Sequence, residues 1–348
     1  MEIIDKKNLA IQDDVKLSKK FLSVTNNNFD INCKFYNEIF YLDSYNYFPI
    51  SYNFETFSEI FTWGDKLKYK NFYSEKFLIN FEKNINNFKH LQNTIVLGSS
   101  SADNYYRNMI TFFPRIFFLE KQKIKLAIHR NSSNKFRNFI TIMCNKIGIE
   151  LEFIYLDDGF YKFSNSKIPQ FLLKNDSFNI LINLILKNSQ KSLKIYLTRQ
   201  HSQYRNLINE GDIIEILKKE GFKIVDLGDL SIIKQMELFS KSKLIISPTG
   251  SGLTNIVFCS PGTKVIEITP KYQYDYESNF KNRYSFICKS LNLDYYSFEA
   301  DPVNIKGIGK TSNLFIGPKA LKESNYYKDL LFKIEKVKEI LKLQHAAW

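Results

Sequence analysis

From residue 245 the sequence reads Ile-Ile-Ser-Pro-Thr-Gly-Ser-Gly-Leu-Thr-Asn255. An apolar run ends at Ser247, a glycine turn follows, and a helix opens at Gly252. Glycines let a backbone approach a ligand closely. The first amides of a helix lack an intrahelical acceptor and sit at the positive end of its dipole. A phosphate fits such a point. The contacting candidates are Thr249, Gly250, Ser251, Gly252, Leu253, Thr254 and Asn255, and a branched side chain at Gly252 is expected to stand in the phosphate's path. The same glycines also fit a tight turn with no ligand. Downstream, Pro261-Gly-Thr-Lys-Val-Ile-Glu267 puts a carboxylate close to the carboxyl end of a strand. There Glu267 can accept two hydrogen bonds from a ribose diol, or it is a strand residue facing solvent. Upstream, Arg199 and Arg205 follow another strand. Two guanidinium groups beside a phosphate turn can clamp a diphosphate in a bidentate way, although loop arginines are also ordinary solvated surface. Lys264 is an outlying cation.

The elements that must hold these residues are read from periodicity. Short apolar runs at 94–97, 124–128 and 151–156 predict strands, with an amphipathic helical stretch at 104–121 and a helix at 134–147. Strands at 194–198, 222–225, 244–247 and 265–268 alternate with helices at 209–220, 231–240 and from 252. Gly221 stops the first of these and Ser231 caps the second. Strands alternating with helices indicate parallel βαβ units. The expected fold is α/β, with a Rossmann-like domain over 1–180, whose first 30 residues are extended, and a second, doubly wound domain over 190–320. A crossover helix is expected within 170–192. A last helix over 324–343, within a C-terminal segment 324–348, puts Leu330, Ile334, Val337 and Leu341 on one face. The first ninety residues, with runs such as Phe35-Tyr36 and Ile39-Phe40-Tyr41, suggest strands.

Composition narrows the partners. The chain has 348 residues, 44% of them hydrophobic, as in a globular protein. Lys and Arg outnumber Asp and Glu by 49 to 36, a formal charge of +13. That charge suits an anionic partner, but only weakly, since a codon usage biased toward Lys, Asn, Ile, Phe and Tyr accounts better for its bulk. The lysines are scattered, with no basic stripe or nucleic-acid module, so no nucleic-acid partner is expected. Cys33, Cys144, Cys259 and Cys288 are far apart with no C-x-x-C pair, which argues against a zinc site or disulfide framework. Residues 1–20 lack the apolar core of a signal peptide. The longest apolar stretch, 171–186, is broken by Lys174, Asn175 and Asp176 and falls short of a membrane span. A cytoplasmic location is therefore expected. A nicotinamide dehydrogenase also uses Rossmann units, but the first strand here exits into Gly98-Ser-Ser-Ser101 rather than G-x-G-x-x-G.

The run from Ile195 to Glu267 resembles the glycosyltransferase family 61 domain, in the bacterial branch labelled capsular polysaccharide biosynthesis protein. That family pairs an arginine-rich strand exit, an Asn-Glu, a G-[SA]-G-L-T-N turn and P-G-T-K-V-I-E. Here these are Arg199 and Arg205, Asn209-Glu210, Gly250 to Asn255 and Pro261 to Glu267. A second match is Asn104-Tyr-Tyr106 with Pro114-Arg115, against the family's N-Y-Y-H…P-R. The resemblance implies a GT-B architecture of two domains with a cleft between them. It implies a nucleotide-sugar donor, UDP-sugar first, held by the C-terminal domain. A glycan or lipid-linked glycan acceptor would be held by the N-terminal one, where Asn104, Tyr106, Arg107 and Arg115 are the candidates. The family often has histidine at Arg107 and at Thr249, and an acid at Thr111. These departures leave three alternatives: a base elsewhere, a different acceptor, or an inactive binding homologue.

Glycosyl transfer requires a base within reach of the acceptor hydroxyl. The candidates are Asp103, between a strand exit and a helix, and Asp157 and Asp158 after the strand at 151–156. Asp103 also suits a helix N-cap, and Asp157-Asp158-Gly159 a turn. No metal and no cofactor beyond the co-substrate are expected, because no D-x-D stands in a strand-exit loop. Peripheral contact with an anionic membrane is expected at most.

Overall fold

The computed structural model describes residues 11–12, 21–26, 31–36, 40–44, 48–51, 56–57, 81, 83–97, 103–169, 177, 180, 190–202, 205–271, 282–303 and 329–343. Residues 98–102, which include the expected exit of the first strand, and most of the expected crossover helix lie outside these residues. The chain divides into two compact units, Met1–Ile180 and Leu181–Trp348.

In the first unit the strands are β1 (Ile11–Gln12), β2 (Phe21–Asn26), β3 (Ile31–Tyr36), β4 (Phe40–Asp43), β5 (Phe48–Ser51), β6 (Thr56–Phe57), β7 (Lys89–Gln92), β8 (Ile95–Val96), β9 (Lys123–His129), β10 (Glu150–Leu156), β11 (Phe160–Ser164) and β12 (Ile168–Pro169). β10, β9 and β8 form a parallel sheet in that order, and β5-β4-β11-β7 form a mixed one. The helix α1 (Asn134–Lys146) connects β9 to β10, its N-terminus capped by Ser133 Oγ, which accepts from Phe136 N–H at 3.2 Å. This unit thus holds one βαβ step of the expected kind, flanked by antiparallel pairings that the alternation did not reveal. Its core is aromatic: Phe40 stacks on Phe163 at 5.0 Å, and Phe113 packs on Phe139 at 4.8 Å.

The stretch expected as one amphipathic helix is a composite. A single α turn (Tyr105–Arg107) widens to a π-helix (Asn108–Phe112) and then tightens to a 3-10 helix (Phe113–Phe118). Pro114 carries no N–H for an α-helical bond, and Phe113 N–H reaches back five residues to Asn108 O. Every residue from Asn108 to Leu119 is buried, so no polar face remains.

The second unit is built on a seven-stranded sheet. Its strands are β13 (Leu193–Leu197), β14 (Asn206–Leu207), β15 (Lys223–Val225), β16 (Ser242–Pro248), β17 (Lys264–Pro270), β18 (Asp294–Val303) and β19 (Asp329–Leu331), in spatial order β14-β19-β18-β17-β16-β13-β15. The five strands from β15 to β18 are parallel, and β19 runs against β18. Numbered along the chain, the parallel five follow the order 2-1-3-4-5, one of the common doubly wound arrangements. The connecting helices are α2 (Glu210–Lys219), α3 (Ile232–Ser240) and α4 (Arg283–Ser290), with a 3-10 helix (Ser251–Phe258) after β16. Ser231 caps α3, accepting from Lys234 N–H at 3.3 Å. Tyr196, Ile246, Ile266, Ile268 and Leu330 share one buried core. Each fully buried aliphatic side chain contributes about 1.5–3 kcal/mol.

The C-terminal helix is shorter than its periodicity suggested. α5 spans Ile334–Leu343 and buries Val337 and Ile340. Leu330 belongs instead to β19, which pairs with β14 on one side and β18 on the other. Asn209 fixes the exit from β19: its Nδ2 donates to Phe332 O at 2.8 Å, and its Oδ1 accepts from Phe332 N–H at 3.3 Å.

Candidate functional site

In the 2-1-3-4-5 order the chain leaves β13 in one direction and returns to β16 on its other side. The carboxyl ends of β13 and β16 therefore flank the topological switch point, where open α/β sheets bind ligands. β13 exits into Thr198 and Arg199, and β16 into Thr249 and Gly250. Because β19 opposes β18 and β14 runs parallel to β19, β14 starts at this same edge. That brings in Arg205, the residue before β14.

The contact at the switch point is between Arg199 and Gly250. A Cβ on Gly250 would overlap Arg199 Nη1 and lie 2.8 Å from its Cζ. The Gly250 backbone is extended, with φ 177°, so the glycine is there for the room it leaves rather than for a left-handed conformation. Tyr284 Oη donates to Gly250 O at 2.5 Å, fixing the turn from the start of α4. Glu210 holds the arginine loop: one carboxylate oxygen accepts from Tyr196 Oη at 2.8 Å and from Arg199 N–H at 3.1 Å. Burial and the neighbouring Arg205 charge bring Arg199 down to about 10. Two guanidinium groups that disfavour each other's charge are favourable to a bound anion. Arg205 is left-handed at φ 60°, a conformation that costs a non-glycine residue about 1–3 kcal/mol. Its Nε is buried and makes no hydrogen bond among the described residues.

Glu267 lies beneath this cluster. It sits at the centre of β17, opposite Ser247 and Ser297, and is 1% exposed. It was expected close to the carboxyl end, but Ile268, Thr269 and Pro270 continue to pair with β18. Tyr295 Oη donates to Glu267 Oε2 at 2.6 Å. Burial pushes the Glu267 carboxyl up, against the Thr249 and Tyr295 hydroxyls and the Arg205 and Arg283 charges, which pull it down. Glu267 is thus a buried carboxyl that feels the Arg205 and Arg283 charges from within the sheet.

The glycine turn divides its work. Leu253 N–H returns to Gly250 O at 3.0 Å, so the amides of Ser251 and Gly252 precede the first intrahelical bond. Ser251 is exposed, while Thr249, Leu253, Thr254 and Asn255 are buried. Asn255 Nδ2 donates to Gln235 Oε1 at 2.7 Å, and Gln235 donates to Leu227 O and Leu230 O. The turn is thereby tied to the loop after β15. A Cβ on Gly252 would stand 2.7 Å from Leu227 Cδ1. The missing side chain of Gly252 leaves room for Leu227, and that of Gly250 leaves room for the arginine. Lys264 begins its strand at the opposite edge and donates to Leu343 O at 2.8 Å.

In the first unit, Asp157 and Asp158 follow β10 in a turn. Arg130 Nε donates to Asp157 Oδ1 at 2.6 Å, and His129 Nε2 lies 2.8 Å from Asp158 Oδ1. Asp103 is exposed and does not cap the helix. Asn104 does so, accepting from Arg107 N–H at 3.2 Å. Tyr106 is buried and Arg107 half-buried. Arg115 is wholly buried and donates to Pro169 O, a contact inside the unit. Sequence reasoning missed Arg283, Tyr284, Tyr295 and His129, for none of them stands in a local motif.

Among the described residues, no three His, Cys, Asp or Glu side chains form a group that could hold a metal ion. No helix among them is long and apolar enough to cross a membrane.

Residues 105–266 match the family model of glycosyltransferase 61. They span the composite helix of the first unit and the strand exits of the second, from Tyr105 to Ile266. No curated protein matches the sequence. The chain carries a glycosyltransferase family 61 domain and is a glycosyltransferase.

Proposed function

We propose that this glycosyltransferase takes its sugar from a nucleoside diphosphate sugar, a UDP-sugar first, and passes it to a glycan or lipid-linked glycan of a cell-surface polysaccharide. The observation that carries the donor assignment is the Arg199 guanidinium lying over Gly250 at the switch point, with Arg205 beside it. In this reading the diphosphate lies between the two guanidinium groups and the amides of Ser251 and Gly252. As the sugar departs, charge develops on the leaving diphosphate, and donors fixed in advance stabilise it. The arginines supply the positive charge that a divalent ion supplies in other transferases, so turnover is metal-independent. The acceptor hydroxyl attacks in a single displacement, inverting the anomeric centre. In this reading the enzyme works in the cytoplasm, and its excess positive charge of +13 favours salt-sensitive contact with an anionic membrane face. Co-sedimentation with phosphatidylserine vesicles at low salt tests that part.

The test of the donor site is a thermal-shift panel of UDP-, GDP-, CMP- and dTDP-sugars on the wild type and on Arg199→Ala/Arg205→Ala. A donor at about 100 times its Kd stabilises by about 2.7 kcal/mol. One class of nucleoside diphosphate sugar is expected to raise the wild-type melting temperature and leave the double variant unmoved. An equal shift in both would overturn the assignment.

A further inference from the structure

A nucleoside diphosphate extends beyond its phosphates, so its ribose and base must lie on one flank of the β13–β16 switch point. The carboxylate expected to take the ribose diol, Glu267, sits in the middle of β17 and is 1% exposed. The sheet encloses it, and its Oε2 already accepts from Tyr295 Oη at 2.6 Å. The opposite flank, beyond β13, carries a different acid. β15 lies beside β13, parallel and in register up to Leu197 and Val225. Thr198 N–H donates to Val225 O at 3.0 Å, so the pairing continues past the end of β13. Thr198 and Asp226 therefore leave the carboxyl edge side by side, on strands about 4.8 Å apart, and Arg199 is the next residue after Thr198.

Asp226 is half-buried. Its Oδ1 accepts from Gly228 N–H at 2.7 Å, closing a short 3-10 turn (Leu227–Asp229). Its Oδ2 makes no hydrogen bond among the described residues and is not enclosed. One oxygen thus fixes the carboxylate and the other is left for a ligand. The turn that carries it is braced against the phosphate turn. Leu227 Cδ1 fills the space beside Gly252, 2.7 Å from where a Cβ would stand. Gln235 Nε2 donates to Leu227 O at 2.9 Å and to Leu230 O at 3.1 Å, and Gln235 Oε1 accepts from Asn255 Nδ2 at 2.7 Å. The amides of Ser251 and Gly252, the Arg199 guanidinium and the Asp226 carboxylate thus follow three neighbouring strands, β16, β13 and β15. The outer two are about 10 Å apart, a distance that a diphosphate and a ribose in succession can span.

We infer that Asp226 reads the ribose of the donor, its carboxylate accepting from the 2′- and 3′-hydroxyls. The inference rests on the donor reading above and narrows it: the donor is a ribonucleoside diphosphate sugar, not a deoxyribonucleoside one. The arginines and the turn amides answer to the diphosphate alone and serve any nucleoside. A carboxylate following a strand of a doubly wound sheet is a group that holds a ribose diol. A 2′-deoxy nucleotide loses a hydrogen bond to a charged acceptor.

The experiment measures binding by calorimetry to wild type and Asp226→Asn. The probes are UDP with 2′-deoxy-UDP, GDP with 2′-deoxy-GDP, dTDP, and inorganic pyrophosphate. Asparagine keeps an Oδ1 for the Gly228 N–H, but its Nδ2 cannot accept from a hydroxyl. The wild type is expected to bind one ribonucleotide about 10- to 150-fold more tightly than its 2′-deoxy counterpart. In Asp226→Asn that ratio should collapse, through weaker binding of the ribonucleotide, while pyrophosphate affinity stays within about twofold. A wild type that binds both members of its preferred pair equally, or binds dTDP most tightly, would overturn the ribose role and leave the arginine site standing. So would an Asp226→Asn that keeps the wild-type ratio, or one that loses pyrophosphate as strongly as the ribonucleotide. A wild type that binds no nucleoside diphosphate would overturn the donor reading and this inference with it. Should Asp226→Asn lose its fold, Asp226→Ser, whose hydroxyl can also accept from a backbone N–H two residues on, takes its place.

Discussion

Gly250→Ala is a small change with a directed consequence. The new Cβ would overlap Arg199 Nη1 and lie 2.8 Å from Cζ, so the guanidinium must withdraw from the turn. The main chain has no reason to move, because an extended φ of 177° suits alanine as well as glycine. If the withdrawn arginine loses one hydrogen bond to a bound diphosphate, about 1.5–3 kcal/mol of affinity goes with it. That is about 10- to 150-fold in Kd. Calorimetry with UDP on Gly250→Ala, Arg199→Ala and the double variant separates this cause from others. If the alanine acts through Arg199, it adds almost nothing once Arg199 is gone, and the cycle is strongly non-additive. Additive losses would refute the reasoning, as would wild-type affinity in a folded Gly250→Ala.

Three further outcomes are expected. Arg205→Gly relieves a left-handed φ of 60°, so its urea midpoint should hold or rise while UDP affinity falls at least about 10-fold; a gain in affinity would remove Arg205 from the site. Asn255→Ala takes the Nδ2 donor from buried Gln235 Oε1, and chemical denaturation should show a loss of about 1–3 kcal/mol; unchanged stability would mean that the bridge between the turn and α3 carries no weight. Turnover after dialysis against excess EDTA should match turnover without it; activity abolished by chelation and restored by Mn²⁺ or Mg²⁺ would direct attention to Asp157 and Asp158 as ligands.

Much of the second unit was legible because its signals are local. The apolar run before Ser247, the stop at Gly221 and the cap at Ser231 each act within a few residues of themselves, and the structure follows them to within two residues. What required long-range pairing was not legible. Leu330 carries helical spacing relative to Ile334 and Val337, yet its backbone bonds are made with β14 and β18. The composite helix after Asn104 had a visible cause in Pro114, but the depth of its burial depends on the sheets around it. The arginine pair could be named from the strand exit. Its neighbours could not, since Tyr284 and Tyr295 arrive from elements far along the chain. His129 had no motif at all. It becomes informative only when β9 and β10 align and bring Asp158 to its Nε2.

The central claim is that the donor diphosphate lies at the β13–β16 switch point, between Arg199 and Arg205. A crystal structure with UDP bound tests it most directly. The account predicts phosphate oxygens within hydrogen-bond distance of both guanidinium groups and of the Ser251 or Gly252 amide. A diphosphate held elsewhere, with Arg199 still lying over Gly250, would contradict it.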